Sequence, residues 1–203
     1  MKNLILKSSI SAILLATSFQ ASAEMSANFG AASTYLWRGV SLSDNSPQVS
    51  GGIDYANDSG VYAGFWQSSE SNANSTETDF YVGFSGEAGS VGYDVGFIAY
   101  KYLQNDASDF NEVYVNVSFG DFGVGYALDS ENSNSYINAS ASFDKFTVTI
   151  GSAMFDDSAN DYTHFDVSYD VGEGVAFTFS KNDIDGDDKG RFVVSWTKDI
   201  DMK

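Results

Sequence analysis

The chain is predicted to be all-β: a closed antiparallel transmembrane β-barrel of about twelve strands behind a cleaved signal peptide. Three observations predict it. Apolar residues recur with period two from end to end, and no segment keeps a 3.6-residue period. The connections alternate between tight turns and longer polar loops, as in barrels with periplasmic turns and extracellular loops. The face opposite the apolar one is rich in Gly, Ala, Ser and Thr, unlike the Lys- and Glu-rich outer face of a soluble sandwich.

The N-terminus comes first. Lys2 and Lys7 flank a small apolar run from Ile10 to Phe19, and Ala21-Ser22-Ala23 fits the small-x-small cleavage rule. The run is too short to span a bilayer as a helix, which takes about 20 apolar residues. Residues 1–23 are therefore expected to be removed after Ala23, leaving 24–203 as one barrel domain. Two of the ten basic residues would leave with the signal.

The strands follow at 26–39, 48–56, 60–68, 77–86, 90–102, 109–119, 122–129, 134–143, 145–154, 161–171, 174–182 and 189–199. The run Val113, Val115, Val117, Phe119 against Glu112, Tyr114, Asn116, Ser118 is typical. The first strand has the weakest alternation, blurred by Ala and Ser. Tight turns fall at 57–59, 87–89, 120–121, 144 and 172–173. Longer loops fall at 41–47, 69–76, 104–108, 130–133, 155–160 and 183–188. Aromatics gather at both ends: Tyr35, Trp37, Trp66, Tyr100, Tyr102 and Tyr162 by the loops, and Tyr55, Phe119, Phe122, Phe143, Phe146, Tyr169 and Trp196 by the turns. Two girdles are expected where a barrel meets two membrane interfaces.

Composition excludes several functions. There is no Cys and one His among 203 residues, so thiolate chemistry and most zinc sites fall away, and no metal or cofactor is expected. With 28 acidic against 10 basic residues, net −18, nucleic acid is an improbable partner. Abundant aromatics argue against an acidic disordered chain.

A set of motifs carries a family resemblance. Ser33-x-Tyr35-x-x-Arg38-Gly39-Val40-Ser41, Asn45-x-Pro47, Gly51-Gly52-x-Asp54-Tyr55, Ser59-Gly60-x-Tyr62-Ala63-Gly64-x-Trp66, Glu77-x-Asp79-x-Tyr81-x-Gly83, Gly92-Tyr93-Asp94-x-Gly96, Tyr100-x-Tyr102 and Glu112-x-Tyr114 resemble the TorF porin family of proteobacteria. The likeness is dense over 33–114. It implies an outer-membrane β-barrel, with Tyr35, Arg38, Gly39, Asp54, Tyr62, Gly64, Trp66, Glu77 and Asp79 as motif residues. It implies no particular solute. One departure is the C-terminus, where Trp196 is followed by seven residues instead of ending the chain on an aromatic.

Charges facing lipid at mid-membrane cost about 2–4 kcal/mol for Arg, so the polar strand residues should face the lumen. Arg38, Asp94, Glu112, Tyr114, Asn116, His164, Asp166, Asp170 and Arg191 are the pore-lining candidates. Arg38 opposite several carboxylates would set a transverse field at a constriction; the plainer reading is an ion-pair network that ties strands together. Inward Gly92, Gly96, Gly123, Gly125, Gly151, Ala176 and Ser180 argue for an open lumen. His164, Asp166 and Ser168 share a strand face, but neighbours on a face are about 6.6–7 Å apart, poor geometry for a catalytic triad. The acidic loop from Asp183 to Asp188 misses the EF-hand pattern and reads as a solvated loop that bridges lipopolysaccharide through divalent cations.

The expected function is a non-enzymatic outer-membrane porin of a Gram-negative bacterium. It passes small hydrophilic solutes and mildly prefers cations. Its partners are outer-membrane lipid, lipopolysaccharide and the solute, with a homo-oligomer open. The alternatives are a structural or adhesive barrel with a plugged lumen, and a soluble secreted β-protein that binds a ligand.

Overall fold

The computed structural model describes residues 24–70, 75–103, 109–187 and 189–202. The expected signal segment 1–23, half of the 69–76 loop, all of the 104–108 loop, Asp188 and Lys203 lie outside them. The alternation seen in the sequence becomes β1 (Glu24–Ala32), a short pair β2 (Leu36–Trp37) and β3 (Val40–Ser41), then β4 (Gln48–Ala56), β5 (Val61–Glu70), β6 (Ser75–Ala88), β7 (Val91–Tyr102), β8 (Phe110–Phe119), β9 (Phe122–Asp129), β10 (Asn134–Phe143), β11 (Phe146–Met154), β12 (Tyr162–Gly172), β13 (Val175–Asn182) and β14 (Arg191–Met202). β1 pairs with β4 on one side and β14 on the other, so twelve antiparallel strands close into a barrel with no free edge.

The register puts the valines and phenylalanines outside. Phe80, Val82, Val95, Val113, Val115, Val117 and Val124 are all exposed on the outer face, while the alternate positions turn inward. A one-residue slip would invert every face, so the apolar outer band specifies the register. The turns at the opposite end from the long loops are tight. In the first of them, Asn57 accepts from the Ser59 N–H at 3.0 Å, and Gly60 sits at φ +93° where a Cβ would overlap the Ser85 carbonyl.

Two expectations need correction. The first strand does not run from 26 to 39. The chain leaves the wall at Ala32 and returns at Gln48. Its Ala and Ser residues between 31 and 34 supply no outward apolar stripe to hold it there. The second correction concerns the girdle beside the long loops. Tyr35, Tyr100, Tyr102 and Tyr162 are buried inside the barrel, and Trp37 and Trp66 are half-buried there. The outer face at that end carries Val49, Leu103, Leu128, Met154 and Phe192 instead. The girdle by the tight turns stands as expected: Tyr55, Phe119, Phe122, Phe143, Phe146, Tyr169 and Trp196 all point outward. Beyond Trp196, β14 continues to Met202 against β1, with Ile200 and Met202 also outward.

Candidate functional site

The segment 33–47 folds into the barrel as a small hairpin. β2 and β3 pair Leu36 with Ser41 and Trp37 with Val40, leaving Arg38-Gly39 as a two-residue loop. Both loop residues have positive φ, 49° and 78°, the signature of a type I′ turn. Backbone groups away from bulk water need partners, and the hairpin stem supplies its own: Leu42 N–H donates to the Tyr35 carbonyl at 2.8 Å, and Tyr35 N–H donates to Ser43 Oγ at 2.8 Å. Leu36 packs with Ala32 and Val193 against the inner wall.

The hairpin tip crosses to the far wall. Arg38 donates to both oxygens of Glu112 on β8, at 2.8 and 2.7 Å, and its guanidinium carbon lies 4.2 Å from the ring centres of Trp37 and of Tyr136 on β10. The Gly39 carbonyl accepts from Asn182 on β13 at 2.8 Å and from Arg191 on β14 at 3.5 Å. A Cβ on Gly39 would overlap the His164 side chain on β12. Lower on the hairpin, the Tyr35 hydroxyl donates to Glu77 at 2.5 Å, which also accepts from Tyr102 at 2.8 Å, and Tyr35 meets Trp66 edge-on at 5.8 Å. Asp79, beside them on β6, is 1% exposed, and neither of its carboxylate oxygens has a hydrogen-bond partner.

Toward the tight turns, a second belt joins β1 and β4 to β8. Tyr81 and Asn28 donate to Asp54, the latter at 3.1 Å. Tyr62 donates to Asp94 at 2.5 Å and touches the Tyr114 hydroxyl at 2.5 Å, and Asn116 donates to Asp94 at 3.2 Å. The opposite wall carries short hydroxyl pairs, Ser142 with Thr147 at 3.0 Å and Ser168 with Thr178 at 2.9 Å. Of the motif residues, Tyr35, Arg38, Trp66 and Glu77 thus meet at the hairpin, while Asp54 and Tyr62 belong to the second belt.

The other sequence candidates are also on the inner face. His164 lies 3.1 Å from Asp166 through Nδ1 and 2.7 Å from the Tyr136 hydroxyl through Nε2. Ser168 bonds Thr178 instead, so the three same-face residues form no relay. Arg191 pairs with Asp187 and reaches Asn45 at 3.2 Å, which makes it a clamp on the hairpin at the mouth. Asp170 caps the turn by accepting from Gly172 N–H at 2.9 Å. Two rim carboxyls outside the strands are held below the ordinary range: Asp109 by the Tyr102 N–H and then Lys101, and Asp183 by the Thr163 hydroxyl and N–H.

For Arg38 the geometry favours the plainer of the two readings, and the reading of the inward glycines changes. Arg38 does not stand free opposite carboxylates. It is neutralised by Glu112, so the strand-tying ion pair replaces the transverse field. The inward glycines are not open space. A Cβ on Gly96 would overlap the Tyr114 hydroxyl, one on Gly151 the rings of Tyr136 and His164, and one on Gly125 the Asn116 and Asn138 amides. Small residues there admit a neighbour's long side chain lying flat along the wall. Gly92 and Gly123 instead face the short hydroxyls of Ser118 and Ser140.

Sequence reasoning missed Tyr136 and Asn182 as hairpin contacts. Their inward parity was readable, but a partner 143 residues away, as Gly39 is for Asn182, leaves no local signal.

Comparison with known proteins places this architecture. Residues 16–193 match the family described as "Bacterial protein of unknown function (Gcw_chp)". The chain belongs to the Gcw_chp family. No curated protein matches this Gcw_chp member. Among solved structures, the KdgM porin is similar at TM-score 0.57 with 9% identity, over 85% of this chain and 97% of that one. The KdgM porin in complex with disordered oligogalacturonate gives 0.55, again at 9% identity, over 86% and 97%. The likeness is one of fold: the Gcw_chp chain is a β-barrel resembling outer-membrane porins.

Proposed function

We propose that this protein is a porin-like channel of a Gram-negative outer membrane, passing small hydrophilic solutes and mildly preferring cations. The observation that carries the reading is the barrel's inverted polarity. Its outer face is a band of Val, Phe and Ile, and its interior holds Asp54, Asp79, Asp94, Glu112, Asp166 and Arg38. A soluble protein would expose that band to water at about 25 cal/mol per Å² of apolar surface, whereas a bilayer accepts it. The family resemblance to TorF porins and the fold of the KdgM porin support the same reading. The inserted hairpin forms the constriction.

Charge sets the preference. Among the described residues, the inward basic side chains are Arg38 and Arg191, and each already has a carboxylate. Asp54 and Asp94, each held by neutral donors, have no basic partner among these contacts, so the lumen carries excess negative charge that concentrates cations. An oligogalacturonate, named for the KdgM complex, is polyanionic and meets an unfavourable field here.

Planar-bilayer recording tests the reading. Folded protein should conduct, with a reversal potential in a KCl gradient that favours K⁺ and shrinks as salt shortens the Debye length, about 10 Å at 0.1 M. Anion preference would overturn the charge assignment. The inserted hairpin specifically favours one alternative, a structural barrel with a plugged lumen. Protein folded by its gel shift but silent in the bilayer would establish that alternative. The mature protein should begin at Glu24 and fractionate with outer membranes.

A further inference from the structure

At the long-loop end, above the hairpin tip, the barrel holds a cavity of about 250 Å³. Its floor is Trp37 and the Arg38–Glu112 pair, and its walls include Phe110, Phe155 and Tyr162. The aromatic part is held in place before any ligand arrives. Phe110 stacks on Tyr100 at 4.3 Å, Trp37 meets both edge-on at 6.4 and 6.2 Å, and Phe155 lies 6.2 Å from Tyr162. Trp37, Phe110 and Phe155 are half-buried, so part of each ring faces the cavity.

The charged groups of the lining already hold hydrogen-bond partners. Arg38 and Glu112 satisfy each other. Asp109 accepts from Lys101 at 3.0 Å and from Tyr102 N–H at 2.9 Å. Asp129 is buried and accepts from the backbone N–H groups of Glu131 and Asn132 and from the Asn132 amide, at 3.1, 3.2 and 2.7 Å. An anionic ligand would therefore lose hydration here without finding a free cation, and a cationic one would find Asp129 buried beneath three N–H donors. A wholly apolar ligand would cover the carboxylates and the Asn134 amide without replacing their water. The lining suits a neutral molecule with apolar C–H faces and hydroxyls around its edge. The volume falls just under the ~300–1,000 Å³ of drug-sized pockets, which matches one or two sugar rings.

We propose that this cavity binds neutral saccharides of one or two rings, stacked between Trp37 and Phe155 with their hydroxyls toward the Asp and Asn groups of the rim. As a mouth site that loads solute into the pore, it rests on the channel reading. The binding itself does not require conduction.

The test is calorimetric titration of the folded full-length mature barrel in detergent with maltose, cellobiose and lactose, and with digalacturonate and glucosamine as charged counterparts. At least one neutral disaccharide should bind at millimolar concentration, and each charged sugar should bind at least about tenfold more weakly, a difference of about 1.4 kcal/mol. Trp37→Ala should weaken the neutral sugar about tenfold or more. Phe155→Ala, outside the hairpin, should do the same with the heat-shifted gel mobility unchanged. Failure of all three disaccharides to bind folded protein, or tighter binding of a charged sugar, overturns the proposal, as does unchanged affinity in Phe155→Ala. Bilayer current in KCl without sugar separates the two readings: a conducting barrel that binds no sugar loses only this site, and a sugar-binding barrel without current loses only the channel.

Discussion

Arg38 and Glu112 lie 74 residues apart in the chain and form a two-pronged ion pair inside the barrel, at 2.8 and 2.7 Å. Both side chains are nearly inaccessible, at 7% and 4%. The pair fastens a hairpin that begins at the β1 end of the wall to β8 on the other side. Removing one partner strands the other's charge, which for buried pairs costs about 3–5 kcal/mol. Arg38→Ala and Glu112→Ala should therefore each lower the temperature at which the folded gel form is lost. The double variant should be less affected than the sum of the two. Additive effects would mean the pair is solvated and does not hold the hairpin.

Gly39 is the tightest point of the insertion. A side chain there meets both the left-handed φ of +78° and the His164 ring. Gly39→Val should displace the hairpin tip from Asn182 and Arg191 while leaving the wall strands paired. Single-channel conductance should rise relative to the parent, because the obstacle is then unlatched. An unchanged conductance with an intact gel shift would show that the hairpin tip does not limit the pore.

The outer and inner faces of β8 give a direct test of register. Val115 points outward beside Val95 and Tyr126, and Asn116 points inward toward Asp94. Val115→Arg should block assembly, at about 2–4 kcal/mol near the midplane. Asn116→Arg should assemble and reduce the cation preference. Equal assembly of the two would contradict the face assignment.

The rim should hold its shape well into acid. Asp183 accepts from the Thr163 hydroxyl and N–H, both at 2.7 Å, and its carboxyl is held below the ordinary range near 3.8. A depressed folded pKa adds stability above the unfolded value and loses it as pH falls through the folded one. The β12–β13 rim contact should thus persist at pH 5 and weaken only below about 3.8. An NMR titration of the Asp183 carboxyl should show a midpoint under that value, moving up in Thr163→Val. A midpoint at or above 3.8 in the parent would remove the contact from solution.

How much was legible depended on whether the signal was local. Alternation such as Val113–Phe119, and turn chemistry such as Asn57-Asp58-Ser59-Gly60, place eleven of the strands to within a few residues. Each depends on residues one or two apart, and the apolar outer band repeats it at every outward position. The inward parity of Asp94, Glu112, Asn116, His164 and Asp166 followed for the same reason. The tertiary structure alone decided what those inward residues meet. Tyr35 to Ser41 alternates like a weak strand, and nothing within it says that its tip crosses the lumen to Glu112, Tyr136 and Asn182. Nor could local pattern reveal that Gly96 and Gly151 are covered by tyrosines from the next strand, since a glycine that opens a pore and one that seats a neighbour's ring read alike. Barrel closure brings residues 74 and 143 positions apart into contact. The sequence by itself determined the wall, because a wall is built from near neighbours and the solvent on either side. The contents of the lumen were settled by closure, because their partners come from strands that meet only across it.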